Sequence, residues 1–222
     1  MVTAEPLTSS RWAKARWLVL APHPDDETLG AGALIAHAAT AGRLGGVAFL
    51  TDGSGSHPAG TPRVSMTRRG EAHRAIRRLG GGDVPVEWLG WHDAHPHKAD
   101  SRAFARDAAW LAALLRRRQI DAIAVADRTE AHCDHVAAYR LADAAIRLAR
   151  RPVSLFAYHV WSALPASGRR LAIPAMPPGI RRHALRAHRS QMSPMLGAGF
   201  RLPPEKLRMS ANDILTIRSG RT

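Results

Sequence analysis

Cysteine is almost missing from the 222-residue chain. Cys133 stands alone, which excludes an internal disulfide framework and agrees with a reducing compartment. Aromatic residues are only 5%, which argues against a stacking platform for single-stranded nucleic acid. No run approaches the roughly 18 apolar residues of a membrane-crossing helix. Met1–Ser10 lacks the basic region and apolar run of a secretory signal, so the cytoplasm is the expected site of action. No Gly-x-Gly-x-x-Gly is present; Gly30-x-Gly32 falls inside a helical pattern, and a dinucleotide site has weak support. Lysine occurs only at positions 14, 98 and 206, so the 32 basic against 18 acidic residues, a net +14, reflect an arginine excess. That charge suits nucleic acid, anionic lipid or a phosphorylated substrate. The arginines are scattered and not interleaved with aromatics, so a compositional preference for Arg over Lys is the simpler reading, and no nucleic-acid partner is expected.

What is present reads as an ordinary globular composition, with 45% hydrophobic residues and a length that favours one domain over residues 1–222. Short apolar runs at 17–21, 47–50, 84–89, 120–126 and 153–158 read as strands. Between them, 27–41, 66–79, 104–118 and 132–150 carry helical spacing. This alternation predicts an α/β fold, a Rossmann-like three-layer sandwich with a mostly parallel central sheet and its site at the carboxyl ends of the strands. Residues 160–222 are less regular and read as an elaboration of the same domain, with a helix over 179–189 and an edge strand over 213–218.

Two motifs stand where such a sheet delivers residues. Pro22-His23-Pro24-Asp25-Asp26-Glu27 follows the first strand directly. Imidazole and carboxylate are normal zinc ligands, and adjacent carboxylates repel unless a cation or shared proton compensates. A metal on one of the two aspartates frees the other for proton transfer; the plain alternative is that both open the following helix as turn and capping residues. Glu130-Ala131-His132-Cys133-Asp134-His135 follows the fourth strand. If the helix has begun by His132, that residue and His135 share a face, one able to bind a metal while the other stands by. Cys133 reads as packing.

Together these motifs resemble the two signatures of the LmbE-like, or PIG-L-like, zinc-dependent deacetylases. The resemblance extends through Thr51-Asp52-Gly53, the pair Arg68 and Glu71, and His188-Arg189-Ser190-Gln191. It implies one Zn²⁺ per chain on His23, Asp26 and His135, with Fe²⁺ or another divalent ion possible at such a donor set. It implies Asp25 as general base and His132 as oxyanion stabiliser or proton donor; Asp134, two residues from His132, reads as a carboxylate that orients it. Arg68, Asp93 and His188 are the implied substrate contacts. Two departures stand out: Cys133 where the family often has proline, and Glu130 where some members use a tyrosine to polarise the carbonyl.

The expected activity is removal of an N-acetyl group from an N-acetylglucosamine-type amine or its conjugate, a small-molecule partner, by attack of metal-activated water. Rival readings are an amidase for another acyl amide or a thiol-sugar conjugate, and a basic protein binding nucleic acid or an anionic surface. The His-rich loop from Trp91 reads as a pocket mouth, with Trp91 offering an apolar face, rather than a second metal site. Arg68 and Glu71 also fit an exposed helical ion pair. Asp52 fits either a bond to the first-motif loop or a turn cap. The oligomeric state has no signal in the sequence.

Overall fold

The structure, a computed structural model, describes residues 3–220. Thirteen elements alternate along it: β1 (Ala4–Pro6), β2 (Trp17–Ala21), α1 (Asp26–Thr40), β3 (Leu44–Thr51), α2 (Val64–Arg78), β4 (Val86–Trp91), α3 (Arg102–Arg117), β5 (Ala122–Ala126), α4 (Cys133–Leu148), β6 (Ser154–Tyr158), β7 (Arg170–Ala172), α5 (Ile180–Leu185) and β8 (Ile214–Gly220). The strands form one sheet in the order β1-β7-β8-β6-β5-β2-β3-β4. All pairings are parallel except those of β8 with β6 and β7.

All five residues of β2 and of β5 are buried, as parallel strands covered on both faces require. Alternation divides their side chains between two cores. Val19 and Ala21 pack with α1 residues Leu29, Leu34 and Ile35; Leu18, Leu20, Ile123 and Val125 pack with Leu111, Leu114 and Leu115 of α3 and Leu141 of α4. Helix α3 illustrates the local logic. The Ser101 hydroxyl accepts from the Phe104 N–H at 3.1 Å, capping the first turn, while Arg116 and Arg117 occupy the last, where the helix dipole favours cations. Truncating buried Leu111 to alanine would cost about 2–5 kcal/mol.

The connections after β2 and β5 lead to opposite faces, since α1 belongs to one core and α4 to the other. Adjacent strands whose chains depart to opposite sides leave a crevice between their carboxyl ends, the topological switch point of an open α/β sheet. Both motifs stand there.

Several boundaries and placements differ from expectation. The strand expected at an edge over 213–218 lies inside the sheet between β6 and β7, because the short strands β1 and β7, too brief for a periodic signal, extend the sheet beyond it. The helix expected over 179–189 ends at Leu185 and is followed by a 3₁₀ turn over Arg189–Gln191. Cys133, expected to pack, is exposed.

Candidate metal centre and active site

Helix α1 starts at the first motif under tight constraint. Tyr158, at the end of β6, is fully buried and donates its hydroxyl to the Leu20 carbonyl at 3.0 Å. A Cβ at position 30 would stand 2.1 Å from the tyrosine ring, so Gly30 lets α1 and the ring pack together. Asp25 occupies the N-cap position of α1 without a capping bond from its side chain, and its φ is 146°. Such a conformation costs a non-glycine residue about 1–3 kcal/mol and persists only where surroundings enforce it. The enforcing contacts are visible: the Asp25 N–H donates to Glu27 Oε2 at 2.8 Å, and the Thr28 and Leu29 N–H groups donate to the Asp25 carbonyl. The Asp25 carboxylate is thereby free of the capping role.

Three donor atoms converge beside it. Asp26 Oδ2 lies 3.1 Å from His23 Nδ1 and 3.2 Å from His135 Nε2. Two ligands about 2.0–2.1 Å from an ion at a tetrahedral angle stand about 3.3–3.4 Å apart, so these spacings fit one small divalent cation. The remaining nitrogen of His23, Nε2, faces Asp134 Oδ2 at 3.0 Å and Asp93 Oδ1 at 3.2 Å, the carboxylate backing that orients a ligating imidazole. Charge points the same way. Burial works against an imidazolium at His23, yet hydrogen bonds to Asp134, Asp26 and Asp93 hold its pKa well above the usual range. Burial also works against charge on Asp26, and His135 and His23 nevertheless hold its carboxyl well below the ordinary value. A divalent ion among these carboxylates answers the same demand for positive charge. A second donor group, His23, Asp93, His132 and Asp134, overlaps the first.

Asp25 behaves differently from its neighbour. Burial is the main cause pushing its carboxyl up to about 6; the Arg68 guanidinium opposes the shift and the Asp26 charge adds to it. Arg68 Nη2 lies 3.2 Å from Asp25 Oδ2. The same guanidinium donates to the carbonyls of Gly53 at 2.9 Å and Pro24 at 2.6 Å, a close approach that left-handed Gly53, with φ 70°, makes possible. The exposed Arg68–Glu71 pair is thus absent. Both residues are buried, and Glu71 instead accepts from the Ser190 N–H at 2.8 Å.

His132 is not yet in the helix. It is the N-cap of α4, its Nδ1 accepting the Asp134 N–H at 3.2 Å. Accepting at Nδ1 places the proton of the neutral ring on Nε2. Burial, with the neighbouring His23 charge, lowers the His132 pKa, which favours a neutral ring presenting an Nε2–H donor. Asp134 Oδ2 is 3.9 Å from His132 Nδ1 and bonds the Ala94 N–H and His23 instead; it supports His23 rather than orienting His132.

His23, Asp25, Asp26, Arg68, Asp93, His132 and His135 all line a cleft of about 470 Å³. His188 does not. It is fully buried, with Nε2 3.2 Å from Glu27 Oε1, behind the loop that it helps to hold. Trp91 is also elsewhere, buried with its indole N–H on Asp107 at 2.7 Å, where it anchors α3. Asp52 caps a turn through Ser54, and Thr51 makes the bond to the motif loop, Oγ1 to the Pro22 carbonyl at 2.9 Å. Sequence reasoning gave Glu27 and Gln191 no role of their own and missed Tyr158, Trp161 and Phe200. For Glu27 a signal existed, an acid completing the motif at a helix start; the others owe their place to long-range packing.

A doubly wound sheet with a cation-seeking His/Asp cluster and a free carboxylate at its switch point defines a candidate metallohydrolase. The chain belongs to the PIG-L family, described as GlcNAc-PI de-N-acetylase, whose sequence model matches residues 18–146. Among curated proteins none matches significantly in sequence. Solved structures share the fold. A conserved protein from Thermus thermophilus is 24% identical over 91% of this chain and 94% of its own, with a TM-score of 0.65. The N,N'-diacetylchitobiose deacetylase of Pyrococcus horikoshii is 21% identical over 83% and 74%, with a TM-score of 0.63. The 4-carboxy-2-hydroxymuconate hydratase of Pseudomonas putida is 20% identical over 78% of each chain, with a TM-score of 0.59. No helix among the described residues is long and apolar enough to cross a membrane.

Proposed function

We propose that the protein is a metal-dependent N-deacetylase acting on an N-acetylglucosamine-type amine or its conjugate, with one Zn²⁺ per chain on His23 Nδ1, Asp26 Oδ2 and His135 Nε2. The observation that carries this reading is the convergence of those three atoms beside a carboxylate, Asp25, that is left out of the cluster and pushed up to about 6. A divalent cation there supplies Lewis acidity toward an amide carbonyl and toward water. Asp25, held by Arg68, takes the proton of the attacking water. His132 donates its Nε2–H to the oxygen that gains charge as the tetrahedral carbon forms. A neutral ring whose Nδ1 accepts a main-chain N–H has no second proton to give. Asp25-H therefore returns its proton to the departing amine nitrogen, the C–N bond breaks and acetate leaves. Asp93, fixed between His23 and Arg68 on the cleft wall, takes a substrate hydroxyl.

The fold alone does not force this choice, since a hydratase shares it. Acetate release from a panel of N-acetylated amino sugars, with and without a chelator, tests the reading. Metal-dependent acetate supports it. No acetate from any sugar, with release of a longer acyl group or water addition to an unsaturated acid instead, would replace it.

A further inference from the structure

One wall of the cleft takes no part in the amide chemistry. Glu130, buried next to the β5 motif, accepts from the N–H groups of Val160 at 2.8 Å, Trp161 at 3.0 Å and Ser162 at 3.2 Å, and from the Ser162 hydroxyl at 2.8 Å. Four donors on one carboxylate fix the 160–162 loop firmly. The Lys206 ammonium sits 4.6 Å from the Trp161 ring centroid and donates to the Val160 carbonyl. On the facing segment the Phe200 N–H donates to the Ser56 carbonyl at 2.7 Å. A Cβ at neighbouring Gly199 would lie 2.6 Å from the His57 ring, so that backbone approach is close. The two rings meet at 87° with centroids 6.0 Å apart, and both line the cleft. They are nevertheless 41% and 42% exposed. Two aromatic rings on anchored backbone, left open to water at a cleft mouth, mark a surface built to be covered by a ligand.

We propose that Trp161 and Phe200 form an apolar subsite for an alkyl or aryl aglycone on the amino sugar, a reading that rests on the N-deacetylase assignment above. The right angle between the rings favours this occupant over a second sugar. A pyranose stacked on one ring turns its equatorial hydroxyls toward the other, where they lose water without gaining partners. An alkyl or aryl group covers the exposed carbon of both rings at no such cost.

The test compares methyl, hexyl and phenyl β-glycosides of N-acetylglucosamine, and N,N'-diacetylchitobiose, by acetate release from the metal-loaded enzyme. The hexyl and phenyl glycosides should show KM at least tenfold below the methyl glycoside, with kcat within threefold. Trp161→Ala and Phe200→Ala should each remove most of that KM gap, and Trp161→Phe should restore part of it. Equal KM values for methyl and hexyl glycosides, a gap that survives both alanine variants, or an advantage confined to the disaccharide would overturn the subsite. Calorimetric binding of methyl and hexyl glucosaminides reads the same gap without turnover. A Trp161-dependent gap with no acetate released would sink the deacetylase reading and leave the subsite standing; no gap would sink the subsite whatever the chemistry.

Discussion

At the carboxyl ends of β2 and β5, charged groups are buried and hold one another in fixed directions. At the amino ends of the same strands a second cleft, of about 610 Å³, is lined by Arg16, Arg43, Arg116, Arg150 and Arg151 with Asp121 among them. There the side chains are mostly exposed, and their bonds run outward to main-chain carbonyls, Arg43 to Lys14 at 2.6 Å and Arg116 to Leu148 at 3.2 Å, or to Asp121 from Arg151 at 2.8 Å. Exposed pairs of this kind contribute about 0–1 kcal/mol. The excess of five arginines over one carboxylate is larger than that of three aspartates over one arginine lining the other cleft, yet the carboxyl edge has the shifted carboxyls and the converging donors. Burial and convergence, rather than net charge, distinguish the reactive end of the sheet.

The sharpest way to break this comparison is to remove charge at each end. Asp25→Asn should lower kcat by about 10²–10⁴, the range of a lost general base, in an acetate-release assay; an active variant would remove Asp25 from the mechanism. Arg68→Gln acts one step back, on the group that holds Asp25, and should reduce kcat/KM by about 10–100-fold. It also moves the pH profile. The base form of Asp25 is lost as pH falls through its folded pKa, about 6 without metal, and a bound cation lowers that value, so the acidic limb of wild-type turnover belongs at or below about 6. Arg68 opposes protonation of Asp25, so its removal should shift the limb upward; a limb that stays put or moves down would contradict the contact. Gly30→Ala should cost about 1–3 kcal/mol in denaturant unfolding, because Tyr158 must leave its place or the helix must shift. Smallest of all, Arg16→Gln and Arg150→Gln together at the amino edge should change stability by no more than about 0.5 kcal/mol and kcat/KM by less than about twofold. A large loss of activity there would erase the contrast.

The layered fold is legible because interior parallel strands read as unbroken apolar runs, as in Trp17–Ala21 and Ala122–Ala126, and amphipathic helices such as α3 keep their period. The centre of the site is legible because His23, Asp25, Asp26, His132 and His135 lie in two short strings directly after strands. What the sequence hides shares one physical origin, long-range contact. Nothing local says that β1 and β7 will flank β8, that Glu71 will reach Ser190 instead of Arg68, or that Trp91 will bury itself against Asp107. The family resemblance makes His188 a substrate contact, and only its bond to Glu27, 161 positions away, places it behind the loop. Glu130 reads as a missing tyrosine; its four bonds to the 160–162 loop give it a role that the spacing of the motif does not contain.

Metal content per chain tests the central claim most directly. Elemental analysis of the purified wild-type protein, Asp25→Asn and His135→Ala, each loaded with zinc and dialysed, should give about one, about one and near zero equivalents for a three-ligand site that excludes Asp25. Zinc retained by His135→Ala, or lost from Asp25→Asn, would contradict the assignment of His23, Asp26 and His135 as the cation's ligands.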